Sequence, residues 1–253
     1  MRKLHLLIGL GLGIAIVILA ILVCLTLTSL VSKQQEERVS SNEGTYSFNS
    51  QTILQSLAQG NMNVFALQMA TPSPSPTNLS GIQWRQTDYI SLANAFNQFT
   101  QKGTLDAWSM KRLSSGLDCK YAPLGPQDMT FNLFKTVHVS QGDSRLERNL
   151  YLQPQQNLIS WDEEEYHPYL EGQLSFDLVQ IKIPAEKALQ IAEMEGGKKA
   201  RLTVNNICQI VLSITAGSEN DNWRISYLGY HGDSLFEIAI DKQTGEYKII
   251  YSK

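Results

Sequence analysis

The apolar run at residues 6–31 constrains the fold and location of this chain more than any other feature. Its 26 residues carry no formal charge and are rich in Leu, Ile and Val. A bilayer core about 30 Å thick is crossed by roughly 20 helical residues, so the run predicts one transmembrane helix. Arg2 and Lys3 precede it, which favours a cytoplasmic N-terminus. We therefore predict a single-pass protein of the cell membrane whose later residues are extracytoplasmic.

Two other interpretations of this run are a cleaved signal peptide and a lipoprotein signal. The apolar part of a signal peptide is usually about 7 to 15 residues long, and this run is longer. Cys24 follows a segment that resembles a lipoprotein cleavage box, but Val23 stands where a small residue is expected. We therefore prefer the retained anchor.

The charge balance beyond the run argues against a nucleic-acid partner. Arg2 and Lys3 are the only charged residues before residue 32, which leaves 19 basic and 24 acidic residues in the rest. Binding to phosphates needs a basic surface, and a net charge of -5 does not predict one.

Residues 32–80 are polar, have no sustained periodicity and include the Pro/Ser segment 71–77. Such a segment favours extended polyproline conformations. We predict a stalk here.

Two cysteines lie outside the apolar run, Cys119 and Cys208. In an oxidising compartment they allow one disulfide. The alternative is two separate buried thiols, because free Cys is among the most buried residue types.

The chain after residue 80 shows the same order of predicted elements twice. Each half begins with an amphipathic helix, which Thr87 or Asp88 would cap in the first half and Pro184 would start in the second. Gly103 would end the first helix, and Gly196 with Gly197 the second. Four strand-like segments come after each helix, at residues 105–113, 129–139, 146–152 and 158–161 and at residues 200–214, 223–227, 236–240 and 246–251.

These segments alternate apolar and polar residues, which predicts an antiparallel sheet with one face packed on the helix of its unit. Asn157 and Gly245 would form the turns before the last strands, and first strands are predicted at residues 82–85 and 176–183. The units would span residues 81–161 and 173–253, joined by an acidic linker at residues 162–172. Trp108, Trp161 and Trp223 are interpreted first as core residues.

The second unit resembles a PepSY domain. The resemblance rests on the helix at residues 184–192 with its paired alanines, on the strand around Trp223, and on the hairpin from Asp241 to Gly245. The first unit departs from this pattern, because Leu152-Gln153-Pro154 replaces the Ile-Asp step. The whole layout is similar to membrane-anchored envelope proteins with tandem cystatin-like PepSY domains that modulate cell-wall synthesis. The resemblance implies an α+β fold of two cystatin-like units, and it supplies no catalytic residues.

The sequence offers little that predicts chemistry. No HExxH, GxSxG, Walker or GxGxxG pattern occurs, and no cofactor or metal is predicted. The acidic run at residues 162–165 allows a calcium or basic-partner site, but a solvated linker is the simpler interpretation. Because ligand sites favour domain interfaces, we expect a binding region between the units, near Trp161, Tyr166 and Tyr169.

These observations predict a membrane-anchored, extracytoplasmic interaction or regulatory protein of the cell envelope, not an enzyme. Its partner would be another envelope protein, such as a cell-wall enzyme, a sensor or a peptidase. The alternative is a PepSY-type inhibitor of a separate envelope peptidase.

Overall fold

A computed structural model of the chain describes residues 37–61, 65, 83–139, 142–167, 174–217 and 221–253. The longer helices are α1 (Ser50–Ala58), α2 (Gln86–Phe99), α3 (Ala185–Ala192) and α4 (Lys198–Thr203). The strands are β1 (Glu37–Ser47), β2 (Ser109–Asp118), β3 (Met129–Val139), β4 (Gly142–Gln153), β5 (Leu158–His167), β6 (Cys208–Thr215), β7 (Trp223–Gly229), β8 (Ser234–Ile240) and β9 (Tyr247–Ser252). Within these ranges no helix is long and apolar enough to cross a bilayer, and the predicted span at residues 6–31 lies outside them.

All nine strands form one antiparallel sheet in the order β1-β5-β4-β3-β2-β6-β7-β8-β9. The expected fold of two separate helix-packed cystatin-like units is therefore wrong. Strands β2 and β6 pair edge to edge from Arg112 to Asp118, so the two predicted sheets are continuous across this seam. Alternation of apolar and polar residues predicts strands and their faces, but it does not specify which edges pair.

The two halves of this sheet have the same order outward from the seam. Each half begins with its helix, and then runs β2-β3-β4-β5 in the first half and β6-β7-β8-β9 in the second. The turns before β5 and β9 are made as expected by residues with left-handed backbones, Asn157 (φ 55°) and Gly245 (φ 79°). The predicted first strands differ, because residues 83–85 form none and residues 176–183 contribute one bridge, at Phe176.

Helix α2 begins before the predicted capping residues, with Arg85 at its N-cap and Thr87 and Asp88 inside its first turn. The Asp88 carboxylate accepts a hydrogen bond from the backbone N–H of Arg85 at 2.8 Å, which satisfies a donor that the helix leaves free. After Phe99 the chain leaves the helix through Gln101 (φ 59°) and Gly103 (φ 81°). Its buried face carries Tyr89, Leu92 and Phe96 onto the sheet.

The second helical segment was predicted to end at Gly196 and Gly197, and that prediction is wrong. Helix α3 continues through a wider turn, Glu193–Gly197, into α4, with Gly196 at a φ of 144°. A side chain at Gly196 or Gly197 would collide with Phe236 or Tyr227, so glycine lets this turn lie directly on the sheet. Residues 200–203, which were expected to begin a strand, are therefore helical.

The segment predicted as a stalk contributes to the folded domain. Strand β1 pairs with β5 along its whole length, and α1 packs against α2. Phe48, Ile53 and Phe65 are each at most 1% exposed in the same core as Phe96. A fragment of residues 81–253 would therefore lack part of this core.

The core lies between the helices and one face of the sheet, and it runs through both halves without a break. Trp108 and Trp223 are buried there, as expected, and the Trp223 indole donates a hydrogen bond to the Ile183 carbonyl at 2.8 Å. Trp161 is half-buried at the margin of this core.

Candidate functional site

Two of the three aromatic residues predicted to form a binding region between the units, Trp161 and Tyr166, do not come together. Trp161 and Tyr166 lie on opposite faces of β5, because they are five residues apart in one strand. Strand β5 is also far from the seam, between β4 and β1. Tyr169 lies outside the described residues.

Each of the two described aromatic side chains has its own local partners. The Trp161 indole lies over Gly44 of β1 on the helix-side face, with the Arg148 guanidinium 5.2 Å from the ring centroid. On the other face, the Tyr166 hydroxyl donates to Glu164 at 2.5 Å, and the Arg145 guanidinium lies 4.7 Å from the Tyr166 ring. The hydrogen bond to Glu164, and then burial, raise the pKa of Tyr166 to about 12. Both rings therefore stabilise the sheet.

The acidic run is part of a strand and is not a linker. Residues 162–167 belong to β5, where each of the first three acids accepts a hydrogen bond from a neighbouring strand or loop. Asp162 accepts from Asn149 at 2.6 Å, Glu163 from Arg148 at 2.8 Å, and Glu164 from Arg38 at 2.8 Å. Within the described ranges no group of three or more His, Cys, Asp and Glu could hold a metal ion.

Glu163 is the centre of a buried ionic cluster at the C-terminal end of α2. Its second oxygen accepts from the Lys102 ammonium at 2.7 Å, and Arg148 also donates to the Thr100 hydroxyl at 3.0 Å. Burial lowers the pKa of Arg148, while the hydrogen bond to Glu163 opposes that shift. The cluster ties the end of α2 to β4 and β5, which is a structural role.

The seam between the halves is held by two further connections. Cys119 and Cys208 form a disulfide, with Cα atoms 5.3 Å apart, directly beyond the last β2–β6 pair, Asp118 with Gln209. On the helix side, the first turns of α2 and α3 exchange hydrogen bonds. The Gln86 N–H donates to Glu186 at 3.2 Å and the Ala185 N–H donates to the Gln86 side chain at 2.8 Å, so each helix caps the other.

A groove of 820 Å³ lies where the two halves meet on the helix side, and we call it the junction groove. One wall is the end of α2 with the segment that leads into β2, and the other is the segment 175–180 that leads towards α3. The Phe176 N–H joins the walls by donating to the Met110 carbonyl at 3.0 Å. The lining residues are Asn94, Gln98, Thr104, Leu105, Asp106, Trp108, Ser109, Met110, Ser175, Phe176, Asp177, Leu178, Val179 and Gln180.

The sequence predicted a concave junction but not the residues that form it. Asp106 and Asp177 are the only charged residues in the lining, and the rest are apolar or neutral and polar. The groove therefore suits a ligand recognised by shape and hydrogen bonds more than by charge. No signal in the sequence indicates this surface, because Val179 is recognisable as an exposed apolar residue, 70% exposed, only in the structure.

The last strand, β9, has more exposed large apolar side chains than any other described strand. Its single neighbour among the described strands is β8, and Tyr247, Ile249, Ile250 and Tyr251 are each between 43% and 48% exposed. A strand edge of this kind leaves backbone N–H and C=O groups available for pairing.

Comparisons with known proteins do not assign this chain to a family. No protein-family model matches it, and no curated protein matches it. Among solved structures, a MaoC-like dehydratase from Phytophthora Capsici is similar over 85% of this chain and 93% of its own, with 7% identity and a TM-score of 0.18. A similarity this weak carries no argument about fold or function.

Proposed function

We propose that this chain is an extracytoplasmic interaction or regulatory protein of the cell envelope, attached to the membrane through residues 6–31. It binds another envelope protein in the junction groove and does not act as a catalyst. The observation that carries the proposal is the groove itself, because both halves contribute walls and the seam holds those walls in place.

Two observations support the extracytoplasmic location. The Cys119–Cys208 disulfide is of the kind that forms and persists in oxidising compartments. The apolar run at residues 6–31 and its preceding basic residues favour export of the chain beyond residue 31. The PepSY resemblance of the second half belongs to this proposal as well, and it favours a regulatory role.

The lining of the groove supports a protein segment as the ligand. A volume of 820 Å³ falls within the usual range for binding clefts, roughly 300 to 1,000 Å³. Side-chain amides and hydroxyls next to Leu105, Leu178 and Val179 can pair with a peptide backbone while apolar side chains pack beside it. Exposed charge pairs contribute little in physiological salt, so shape dominates recognition.

The test is site-specific photo-crosslinking of the full chain in its own membranes. A crosslinkable residue at Val179 lies in the groove, whereas one at Gln209 is exposed on the opposite face of the sheet and is the matched control. We expect one envelope protein to be captured from Val179 and not from Gln209, and capture to fall when Gln98→Trp fills the groove. Capture of a peptidase that the chain inhibits would favour the inhibitor alternative. Equal capture from both positions, or none, would reject the groove.

The acidic run provides a second check on recognition by shape. Glu163 must be left intact because it holds the buried cluster, so the variant is Glu164→Gln with Glu165→Gln. We expect capture from Val179 to survive this change.

The extracytoplasmic location is tested separately by protease treatment of intact cells, which should remove a C-terminal tag without lysis.

A further inference from the structure

Strands β5 and β9 occupy equivalent places in the two halves, but among the described strands only β5 has a neighbour on its outer side. Each is the fourth strand outward from the seam, reached by a turn at Asn157 or Gly245. Strand β1 pairs antiparallel with the outer side of β5, from Ser47 opposite Leu158 to Glu37 opposite His167, with one register shift between Ser40 and Arg38. Among the described strands none takes the corresponding place beside β9. The first half thus shows that this flank of the unit accepts one more antiparallel strand.

We propose that the place beside β9 is taken by β9 of a second copy of this chain, so that two sheets continue into one across a two-fold axis. This inference goes beyond the proposed function and does not depend on the junction groove. Backbone hydrogen bonding favours a strand over any other ligand here, because β9 presents backbone donors and acceptors between apolar side chains.

The register of β9 on β8 determines which face each of its side chains occupies. Tyr247 and Ile249 lie opposite Ile240 and Ile238, on the helix side. Lys248 lies opposite Ala239, on the other face. A register shift occurs after Ile249, so Tyr251 lies opposite Glu237, on the same face as Lys248, and Ser252 returns to the helix side opposite Phe236.

One antiparallel register of two β9 strands uses all six residues and keeps their faces matched. It places Lys248 opposite Tyr251 of the second copy on one face, and Tyr247 opposite Ser252 of the second copy on the other. Lys248 then lies beside an aromatic ring, which attracts a cation. Shifting this register by one residue puts side chains of opposite faces against each other, and the shift that opposes Lys248 to itself brings like charges together.

The symmetry of this contact gives a closed dimer. Strand β9 against β9 is isologous and stops at two copies, whereas β9 against β1 of another copy would continue into an open filament. Strand β1 also carries Arg38 and Glu43, the kind of charged residues that discourage edge pairing. Six residue pairs make a short interface compared with a standard one, so the dimer should dissociate reversibly on dilution.

The register is tested by cysteine crosslinking of the full chain on a Cys24→Ser background. Opposed Cα atoms in an antiparallel pair lie about 4.5 to 5.5 Å apart, within the span of a disulfide. We expect a mixture of Lys248→Cys chains and Tyr251→Cys chains to crosslink at least about tenfold more than either chain alone, whose cysteines would lie roughly 10 Å apart along the strand. No excess in the mixture overturns the proposal, as does capture of another envelope protein at Tyr251 in place of the second copy.

Sedimentation of the full chain in detergent provides the second measurement. Ile249→Lys places a charge at the centre of the contact and should raise the dimer dissociation constant at least about tenfold, while Val39→Lys on β1, an exposed site of the opposite edge, should leave it unchanged. Thermal melts of both variants check that the monomers fold. A dimer that persists in Ile249→Lys, or a chain that stays monomeric at every concentration tested, overturns the proposal.

Discussion

Strands β5 and β9 have opposite compositions and opposite surroundings, although they are equivalent in the two halves. Strand β5 carries the acidic run at residues 162–165 and yet lies inside the sheet, with Glu163 only 9% exposed. Strand β9 carries two isoleucines and two tyrosines and yet lies at the edge, with all six of its residues exposed. The more polar strand is the more buried of the two.

The partners of each strand explain this inversion. Arg148 and Lys102 neutralise Glu163 from the helix side, and β1 brings Arg38 to Glu164 on the other face. A charge can be buried when an opposite charge and hydrogen bonds are buried with it. Apolar side chains at an edge stay exposed until another strand covers them. The position of a strand in this sheet therefore depends on its available partners more than on its own composition.

The largest effect is expected when the covering strand is removed from the first half. A fragment of residues 81–253 lacks β1, α1 and Phe65, which gives β5 the same bare flank as β9. It also loses Phe48 and Ile53 from the core, and burial of each such side chain contributes about 1.5 to 3 kcal/mol. We expect the first half to lose its cooperative thermal transition, measured by circular dichroism. A fragment that melts as sharply as residues 32–253 would show that β1 is dispensable.

The next largest effect concerns the seam that makes the two halves one sheet. The Cys119–Cys208 disulfide closes a loop with a sequence separation of 89 residues. Chain entropy predicts that Cys119→Ala with Cys208→Ala lowers the free energy of unfolding by about 4 to 5 kcal/mol. Urea unfolding would measure the loss, and the reduced wild-type chain is the control. A loss below about 1 kcal/mol would mean that β2–β6 pairing alone holds the seam.

The third prediction compares one ion pair from each half. The Arg148 side chain is 1% exposed in its pair with Glu163, whereas the Arg224 side chain is 62% exposed in its pair with Glu237. Arg148→Ala leaves the buried Glu163 carboxylate with Lys102 as its remaining cationic partner, and breaking this buried pair should cost about 3 kcal/mol. Arg224→Ala should cost less than about 1 kcal/mol. Equal losses in urea unfolding would contradict the buried role of the first pair.

Much of the sheet could be predicted from the sequence, because its inner strands alternate apolar and polar residues. Strands β3, β4, β7 and β8 fall where this period indicates, and Asn157 and Gly245 make the expected turns. Strand β1 could not be found this way, because Val39 and Tyr46 are its only large apolar residues. Its place depends on pairing with β5, which is distant in sequence.

The candidate site was less predictable for the same reason. The acidic run resembles a linker until Arg148 and Lys102 are known to lie beside it, and both come from other elements. The junction groove joins residues near Met110 to residues near Phe176, and the sequence does not encode that contact locally. Residues 200–203 were misassigned to a strand because Ala200 and Leu202 alternate with polar residues, although they lie in α4.

A smaller loss of stability is expected from a substitution at Gly44, where β1 lies under the Trp161 indole. A Cβ atom on Gly44 would lie 2.9 Å from three atoms of the indole ring, so Gly44→Val forces the ring or the strand to move. Overpacking of this kind costs about 1 to 3 kcal/mol. Gly116 of β2 has no atom within 4 Å of such a Cβ, so Gly116→Val is the matched control and should be close to neutral. Similar losses for both variants would show that the Trp161 contact does not limit this position.

The smallest effect separates the two equivalent hairpins by their dependence on pH. In the second half, the backbone N–H groups of Thr244 and then Gln243 donate to Asp241, which lowers the pKa of that carboxyl. In the first half the turn residue Asn157 carries a neutral amide, whose oxygen accepts from the Ser50 N–H at the start of α1 at 3.1 Å. A carboxyl with a lowered pKa stabilises the fold above its unfolded pKa, near 3.9, and loses that contribution as the pH falls through the folded pKa. Asp241→Asn should therefore reduce the free energy of unfolding at pH 7 by less than about 1 kcal/mol. This difference from the wild type should shrink as the pH falls below about 4.

The control is Asn157→Gly, because glycine adopts the same left-handed backbone. Its difference from the wild type in free energy of unfolding should not change between pH 7 and pH 4. Urea unfolding across that range measures both variants. A gap for Asp241→Asn that stays constant down to pH 3 would mean that the carboxylate charge contributes nothing to its turn.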